Sequence, residues 1–294
     1  MGVDPHLLRT FVAVARCASF SAAADELGYT QSAVSQHIAA LEADLRTPLL
    51  HRRPVTPTEA GARLLEHAEP LLLRLAAARA DVTRLAEVPT ARLAVGTSAP
   101  AAPVLAAKLA DVRAARPLAS VTVRVLERES VVRQVADGTL DLGLVDGVAA
   151  PTDPLRLPDA GPLTTHAVAV EPLVVLLPTG HPLTGRAGLG LADLADARWI
   201  DAPETAMPLD RLRAATGIEG YRPCLRYEGT DVRGLIALAT AGHGLALLPE
   251  SALHGVSSGV AVPIIAPRLT HRTELLHRGL LDGPAALLAA ALTA

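Results

Sequence analysis

Gln31, Ser32, Ser35 and Gln36 share one outward face of the segment that follows Thr30. Carboxamides and hydroxyls at this spacing offer donors and acceptors together. Those are the groups that pair with base edges in a DNA major groove, where a well-placed glutamine bonds an adenine twice. Thr30 suits a helix cap as well as a phosphate contact, and Ser21 completes the set of candidate DNA contacts. Further along, Pro48 and Pro57 bracket a short extended turn carrying Arg52 and Arg53. Guanidinium groups there would reach neighbouring phosphates or the narrow minor groove. The plainer alternative is a solvated loop with incidental charge.

These groups need a scaffold that presents them together. Phe20 to Leu41 reads as two short helices around a tight turn, a helix-turn-helix. Ala24 is small where the helices must touch. Gly28 stands at the turn, where φ > 0 is expected and a side chain would obstruct. Val34 faces back into the core. Residues 5–17 form an amphipathic helix beneath the pair, with Pro5 in its first turn. Ser19 or Ser21 caps the second helix, and the third runs to about Leu45.

Charge does not reinforce this reading. The chain has 294 residues and a net charge of −3, and residues 1–63 hold equal numbers of arginines and acids. DNA binding must rest on locally placed arginines rather than a global basic field. The two cysteines, Cys17 and Cys224, lie too far apart in sequence to suggest a structural disulfide, as expected in a reducing cytosol. The N-terminus lacks the apolar stretch of a signal peptide, and no apolar run reaches the roughly 20 residues of a membrane span. A soluble, cytoplasmic protein without a membrane partner is expected.

Thr58 caps a long helix. Leu64, Ala68, Leu71, Leu75, Ala78, Val82 and Leu85 repeat by fours and threes, the seam of a two-stranded coiled coil. Such a seam supplies the dimer that reads two half-sites. Pro70 lies inside this helix, so a kink or break is predicted there. Past Pro89 the texture becomes α/β. Strands are expected at 92–96, 121–127, 140–145, 173–177, 199–200, 244–248 and 260–265, the last of these returning to the first set. Helices are expected at 103–115, 131–137 and 231–241, with a helical Leu/Ala-rich tail over 275–293. The first strand–helix alternation reads as a parallel sheet.

These residues carry a resemblance along essentially the whole chain. Leu8-x-x-Phe11, Ser19-Phe20-Ser21-x-Ala23-Ala24, Gln31-Ser32-Ala33-Val34-Ser35, Leu41-Glu42 and Thr58-x-Ala60-Gly61 are the specific pieces. Gly138-x-Leu140-Asp141-Leu142, Pro178-x-x-His181-Pro182-Leu183 and Ala241-Gly242-x-Gly244-Leu245 follow in order. Together they resemble the LysR-type transcriptional regulators. The resemblance implies a fold of class α + α/β: a winged helix-turn-helix over residues 1–62, a linker and dimerisation helix over 58–88, and an effector domain over 89–294. That domain would be two-lobed, like a periplasmic binding protein, with lobe I at 89–165 plus 266–294 and lobe II at 166–265. Expected partners are double-stranded DNA, a small-molecule effector between the lobes, further copies of the chain as homodimer and homotetramer, and RNA polymerase. No cofactor beyond the unidentified effector is expected. The chain departs from the family pattern in having Arg46 where glycine is usual, Leu50 where phenylalanine is usual, and a shortened wing.

Ligands in open α/β sheets bind beyond the carboxyl ends of the strands. Thr97 and Ser98 end the first strand there, with backbone N–H groups that could meet an anion. Ser130 opens the next helix, and Asp201, Pro203 and Thr230 follow strand ends in the second lobe. Each of these also suits a helix cap, and Asp201 would repel a carboxylate. The sequence holds no Gly-x-Ser-x-Gly, phosphate loop, paired-carboxylate motif or metal-ligand spacing. A regulator, not an enzyme, is therefore expected. The rivals are a solute-binding or enzymatic α/β protein, and a constitutive regulator whose crevice is filled by side chains.

Overall fold

The computed structural model describes residues 3–86, 92–256, 258–279 and 281–294. The chain divides into two compact units, residues 1–83 with 159–161, and residues 84–158 with 162–294.

The first unit holds α1 (Pro5–Cys17), α2 (Phe20–Leu27), α3 (Gln31–Leu45), β1 (Leu50–Arg52), β2 (Val55–Pro57) and α4 (Glu59–Ala86). Each helix start is capped by a side chain: Asp4 accepts from His6 N, Ser19 from Ala22 N and Thr30 from Ala33 N. Phe11, Val14, Ala23, Ala24, Val34, Ile38 and Leu41 close a core among the three helices. Gly28 ends α2 at φ 70°, yet a Cβ there would meet nothing within 4 Å. The turn needs glycine for its left-handed backbone, not for the space that the sequence suggests. Arg46 ends α3 in the same left-handed region, at φ 55°. Thr58 opens α4 by accepting from Gly61 N while donating to the Pro48 carbonyl.

α4 continues through Pro70 without a break. The heptad stripe divides between two environments. Ala68 is fully buried and Leu64 packs beside it, both against the first unit's own core. Leu71 and Val82 are instead 52% and 68% exposed. Periodicity marks an apolar stripe but does not say what covers it, and the first two turns are covered in cis. Leu75 is half-buried and Ala78 exposed. The side chain of Leu85, and the helix end predicted just before Pro89, lie outside the described residues.

The second unit contains β3 (Arg92–Thr97), α5 (Ala102–Ala115), β4 (Ser120–Val125), α6 (Arg128–Ala136), β5 (Leu142–Ala149), β6 (Thr164–Leu177), β7 (Leu189–Gly190), β8 (Arg198–Asp201), α7 (Leu209–Thr216), β9 (Arg222–Arg226), α8 (Val232–Thr240), β10 (Ala246–Pro249), β11 (Val260–Ala266), β12 (Thr270–His277) and α9 (Gly283–Thr293). The main sheet runs β4-β3-β5-β12-β6-β11-β7, with β10 also on β6. β3 is parallel to β4 and β5, whereas β12 is antiparallel to β5 and β6. β5 is an almost unbroken apolar run because it is covered on both faces.

The 14-residue β6 joins two lobes. Its first part pairs with β12, and its last part, from Leu173 onward, pairs with β10 and β11. Leu93, Leu105, Leu144 and Leu288 belong to the core of the first lobe; Trp199, Leu212 and Tyr221 belong to that of the second. Two expectations fail here. β11 stays with the second lobe, and β12 is the strand that returns. Residues 275–277 belong to that strand, so the tail helix starts only at Gly283.

Candidate DNA-reading face and inter-lobe cleft

On α3, Gln31, Ser32 and Gln36 are exposed and Ser35 is half-exposed, while Val34 and Ile38 beneath them are fully buried. Thr30 caps this helix and is itself exposed. Ser21 lies exposed at the start of α2, its hydroxyl 3.1 Å from that of Ser19, which is the capping residue.

The two wing arginines have different surroundings. Arg52 Nη2 donates to Glu42 Oε2 at 3.1 Å, and its guanidinium lies 5.0 Å from the Phe20 ring centroid. The other Glu42 oxygen accepts from Leu49 N and Leu50 N. Arg52 is therefore tied into the base of the wing rather than free for phosphate. Arg53, at the tip of the β1–β2 turn, is exposed.

In the second unit, the carboxyl ends of β3, β4 and β5 and the facing loops of the second lobe enclose two adjoining cavities. One has a volume of about 500 Å³ and is the less polar of the two, lined by Leu173, Met207, Leu247 and Leu269 together with Arg128, Asp153, Arg156 and His271. The other, about 670 Å³, is polar, and Arg128, Asp146, Arg156 and Arg211 line both. The crevice is open, not filled by side chains as the constitutive rival requires.

The sequence-predicted cleft residues divide. Ser98, Asp201 and Pro203 line the polar cavity. Ser98 Oγ accepts from Asp146 N at 3.1 Å, and Asp201 is engaged by Arg226 at 3.1 Å and by Leu209 N. Thr97 does not line either cavity, because its buried hydroxyl donates to the Ser98 carbonyl. Ser98 N donates to the Leu144 carbonyl and α5 begins only at Ala102, so no ring of free N–H groups forms at this strand end. Ser130 and Thr230 are likewise absent from the walls of both cavities.

The charged floor of the cleft comes from residues that sequence reasoning passed over. His271 on β12 is 3% exposed, with Nε2 2.9 Å from Asp146 Oδ2 on β5. Its Nδ1 stands 3.3 Å from Glu171 Oε1 on β6, an ion-pair distance without hydrogen-bond alignment. Burial opposes the imidazolium, but the Asp146 bond and the charges of the two carboxylates outweigh it and raise His271 to about 9. Burial would raise Asp146, yet the His271 bond and charge, then Arg128 and the Ser98 hydroxyl, hold it below the usual carboxylate value. Glu171 is lowered too; burial is outweighed by His271 and by Ser251, whose N and Oγ donate at 2.8 and 2.9 Å. The one sequence signal was a lone acid, Asp146, in an otherwise apolar strand. Among the described residues, no group of three His, Cys, Asp or Glu side chains is placed to hold a metal ion, and no helix is long and apolar enough to cross a membrane.

Comparison with known proteins assigns both units. Residues 5–62 match the model of the bacterial regulatory helix-turn-helix protein, lysR family, and residues 86–291 match the LysR substrate binding domain. The chain is 33% identical over 281 residues to a probable hydrogen peroxide-inducible genes activator of Mycobacterium avium, covering 92% of this chain and 86% of that one. It is 31% identical over 258 residues to the uncharacterized HTH-type transcriptional regulator YnfL of Escherichia coli (strain K12), covering 85% and 84%. Among solved structures, full-length BenM carrying an R156H mutation matches at TM-score 0.58 and 23% identity, covering 98% of this chain and 94% of that one. Full-length CbnR complexed with its target DNA matches at TM-score 0.53 and 22% identity, covering 98% of each. At these identities the solved structures speak for the fold alone.

Proposed function

The chain belongs to the LysR family of bacterial transcriptional regulators, and from that premise we propose that α3 reads an operator while a small molecule in the inter-lobe cleft controls the reading. Gln31, Ser32 and Gln36 contact bases, with Ser35 beside them. Ser21, Thr30 and Arg53 contact the backbone. The observation that carries this reading is the two-sidedness of α3: its inner face is fully buried, and its outer face is polar, uncharged and exposed. Leu71, Leu75, Ala78 and Val82 supply the dimer contact along α4, with pairing of dimers as the higher assembly. The protein works in the cytoplasm, and RNA polymerase is the partner through which a bound regulator acts on transcription. The open cleft favours an effector-responsive regulator over a constitutive one.

The test is DNA binding by fluorescence anisotropy, with the fragment upstream of the protein's own gene set against random duplex. Gln31→Ala is expected to weaken operator binding by about 1–3 kcal/mol and to leave random-duplex binding unchanged. An equal loss on both duplexes overturns base reading by this face.

A further inference from the structure

Taking the cleft as the effector site, we infer that the effector is a small organic acid, with an apolar body in the less polar chamber and one carboxylate received by Arg128. Arg128 opens α6, and its Nε is buried without a hydrogen-bond partner. Its guanidinium lies against Gly147 of β5, where a Cβ would come within 3.5 Å of Cζ. That is an ordinary packing distance, so the guanidinium rests against the β5 backbone at Gly147; the tight neighbour of a Cβ there would be Leu155, at 2.9 Å. Thr205 lines the same chamber, and its hydroxyl is buried without a partner. A buried cation with an unsatisfied Nε, on a residue that lines both cavities, is costly unless a ligand answers it.

The neighbouring charges select the ligand. Burial disfavours the Arg128 cation, Asp146 supports it, and the like charge of Arg211 across the cavities works against it. An anion between the two arginines removes that repulsion. His271 is occupied by Asp146 and Glu171, and Arg226 by Asp201 and Glu228. Arg128 and Arg211 have no such carboxylate partner among the described residues. A planar guanidinium edge matches the two oxygens of a carboxylate. Arg156 also lines both cavities and Asp153 lines the first, so three arginines face two carboxylates in that first cavity; the apolar part of the lining, not net charge, is what favours an organic acid over inorganic phosphate. Leu173, Met207, Leu247 and Leu269 give the chamber of about 500 Å³ an apolar side on which a hydrocarbon body can lie.

Isothermal titration calorimetry on the full chain tests this with straight-chain carboxylates from butanoate to octanoate, the amides and amines of the same lengths, and inorganic phosphate. Saturable binding of the acids that tightens with chain length, with amides, amines and phosphate silent, is the expected result. Arg128→Gln should weaken acid binding at least about tenfold, and Arg211→Gln, on the exposed rim, by a smaller factor. If Arg128→Gln loses its native circular dichroism, Arg128→Lys and Arg211→Gln decide: weakened acid binding in both supports the inference, and unchanged affinity overturns it. Acids that do not bind, amides that bind as tightly, or phosphate that competes equally well also overturn it. Amines binding where acids do not would leave a ligand site standing and remove only the acid class. Acids that bind without changing operator affinity would leave the class standing and remove the control of DNA.

Discussion

Arg52 and Glu42 tie the wing to α3. Their 3.1 Å contact joins the end of β1 to α3, and the second Glu42 oxygen holds the backbone of Leu49 and Leu50. The two adjacent arginines should therefore separate on mutation. Arg53→Ala is expected to weaken operator and random duplex alike and to reduce the salt slope of binding by about one. Arg52→Ala should cost the fold less than about 1 kcal/mol, since the arginine is half-exposed and Glu42 keeps its backbone bonds, and should change the salt slope less than Arg53→Ala. Anisotropy titrations across a range of salt concentrations measure both. Equal slopes for the two variants would contradict the division.

Gly61 gives a sharper steric test. A Cβ on it would stand 2.0 Å from the Leu49 carbonyl oxygen, which is backbone and cannot rotate away. Gly61→Ala must push α4 off the strand that opens the wing, at a cost of about 1–3 kcal/mol or more. Thermal unfolding followed by circular dichroism should show a lowered midpoint together with weaker DNA binding. A variant as stable as the parent would show that the contact relaxes freely.

Arg46 lies in the left-handed region at φ 55°. Its side chain is exposed, so replacement by glycine removes strain without removing packing. Arg46→Gly is expected to raise stability by about 1 kcal/mol, read as a higher midpoint in chemical denaturation. A lower midpoint would mean that the arginine makes a compensating contact.

His271 makes stability depend on pH. Its folded value, about 9, lies above the ordinary histidine value, so the charged form is favoured by folding. That contribution, on the order of 3 kcal/mol, is complete below the unfolded value near pH 6.5 and is lost as pH rises through 9. Asp146 and Glu171 are lowered, so their contributions are present above the ordinary carboxylate range and are lost in acid. Melting curves from pH 6 to 10 should show the parent losing stability more steeply than His271→Gln. Parallel curves would place the histidine's titration elsewhere.

The first unit was legible because its signals are local. Ser19 and Thr30 cap, Gly28 turns, and Ala24 and Val34 pack, each within a few residues of its partner. The cleft was less legible because its floor is assembled across long separations. His271 meets Asp146 and Glu171 from three different strands. Thr270 to His277 reads as polar and charged, unlike a central strand, because His271 and Glu274 are buried against partners rather than in hydrocarbon. Arg128 is hard to read from sequence for a related reason: strand ends suggest hydroxyls and free N–H groups, whereas here a guanidinium lines the cleft. The heptad stripe gave the length of α4 but not the assignment of Leu64 and Ala68, which depends on the core below them.

β6 belongs to both lobes, and the chain crosses back from β11 to β12. These covalent crossings tether one lobe to the other at a fixed effective concentration, whatever occupies the cleft. A ligand that bridges the lobes thus avoids the translational entropy of bringing two bodies together. Its binding energy is left for the difference between open and closed arrangements, and that difference is the quantity a regulator must transmit.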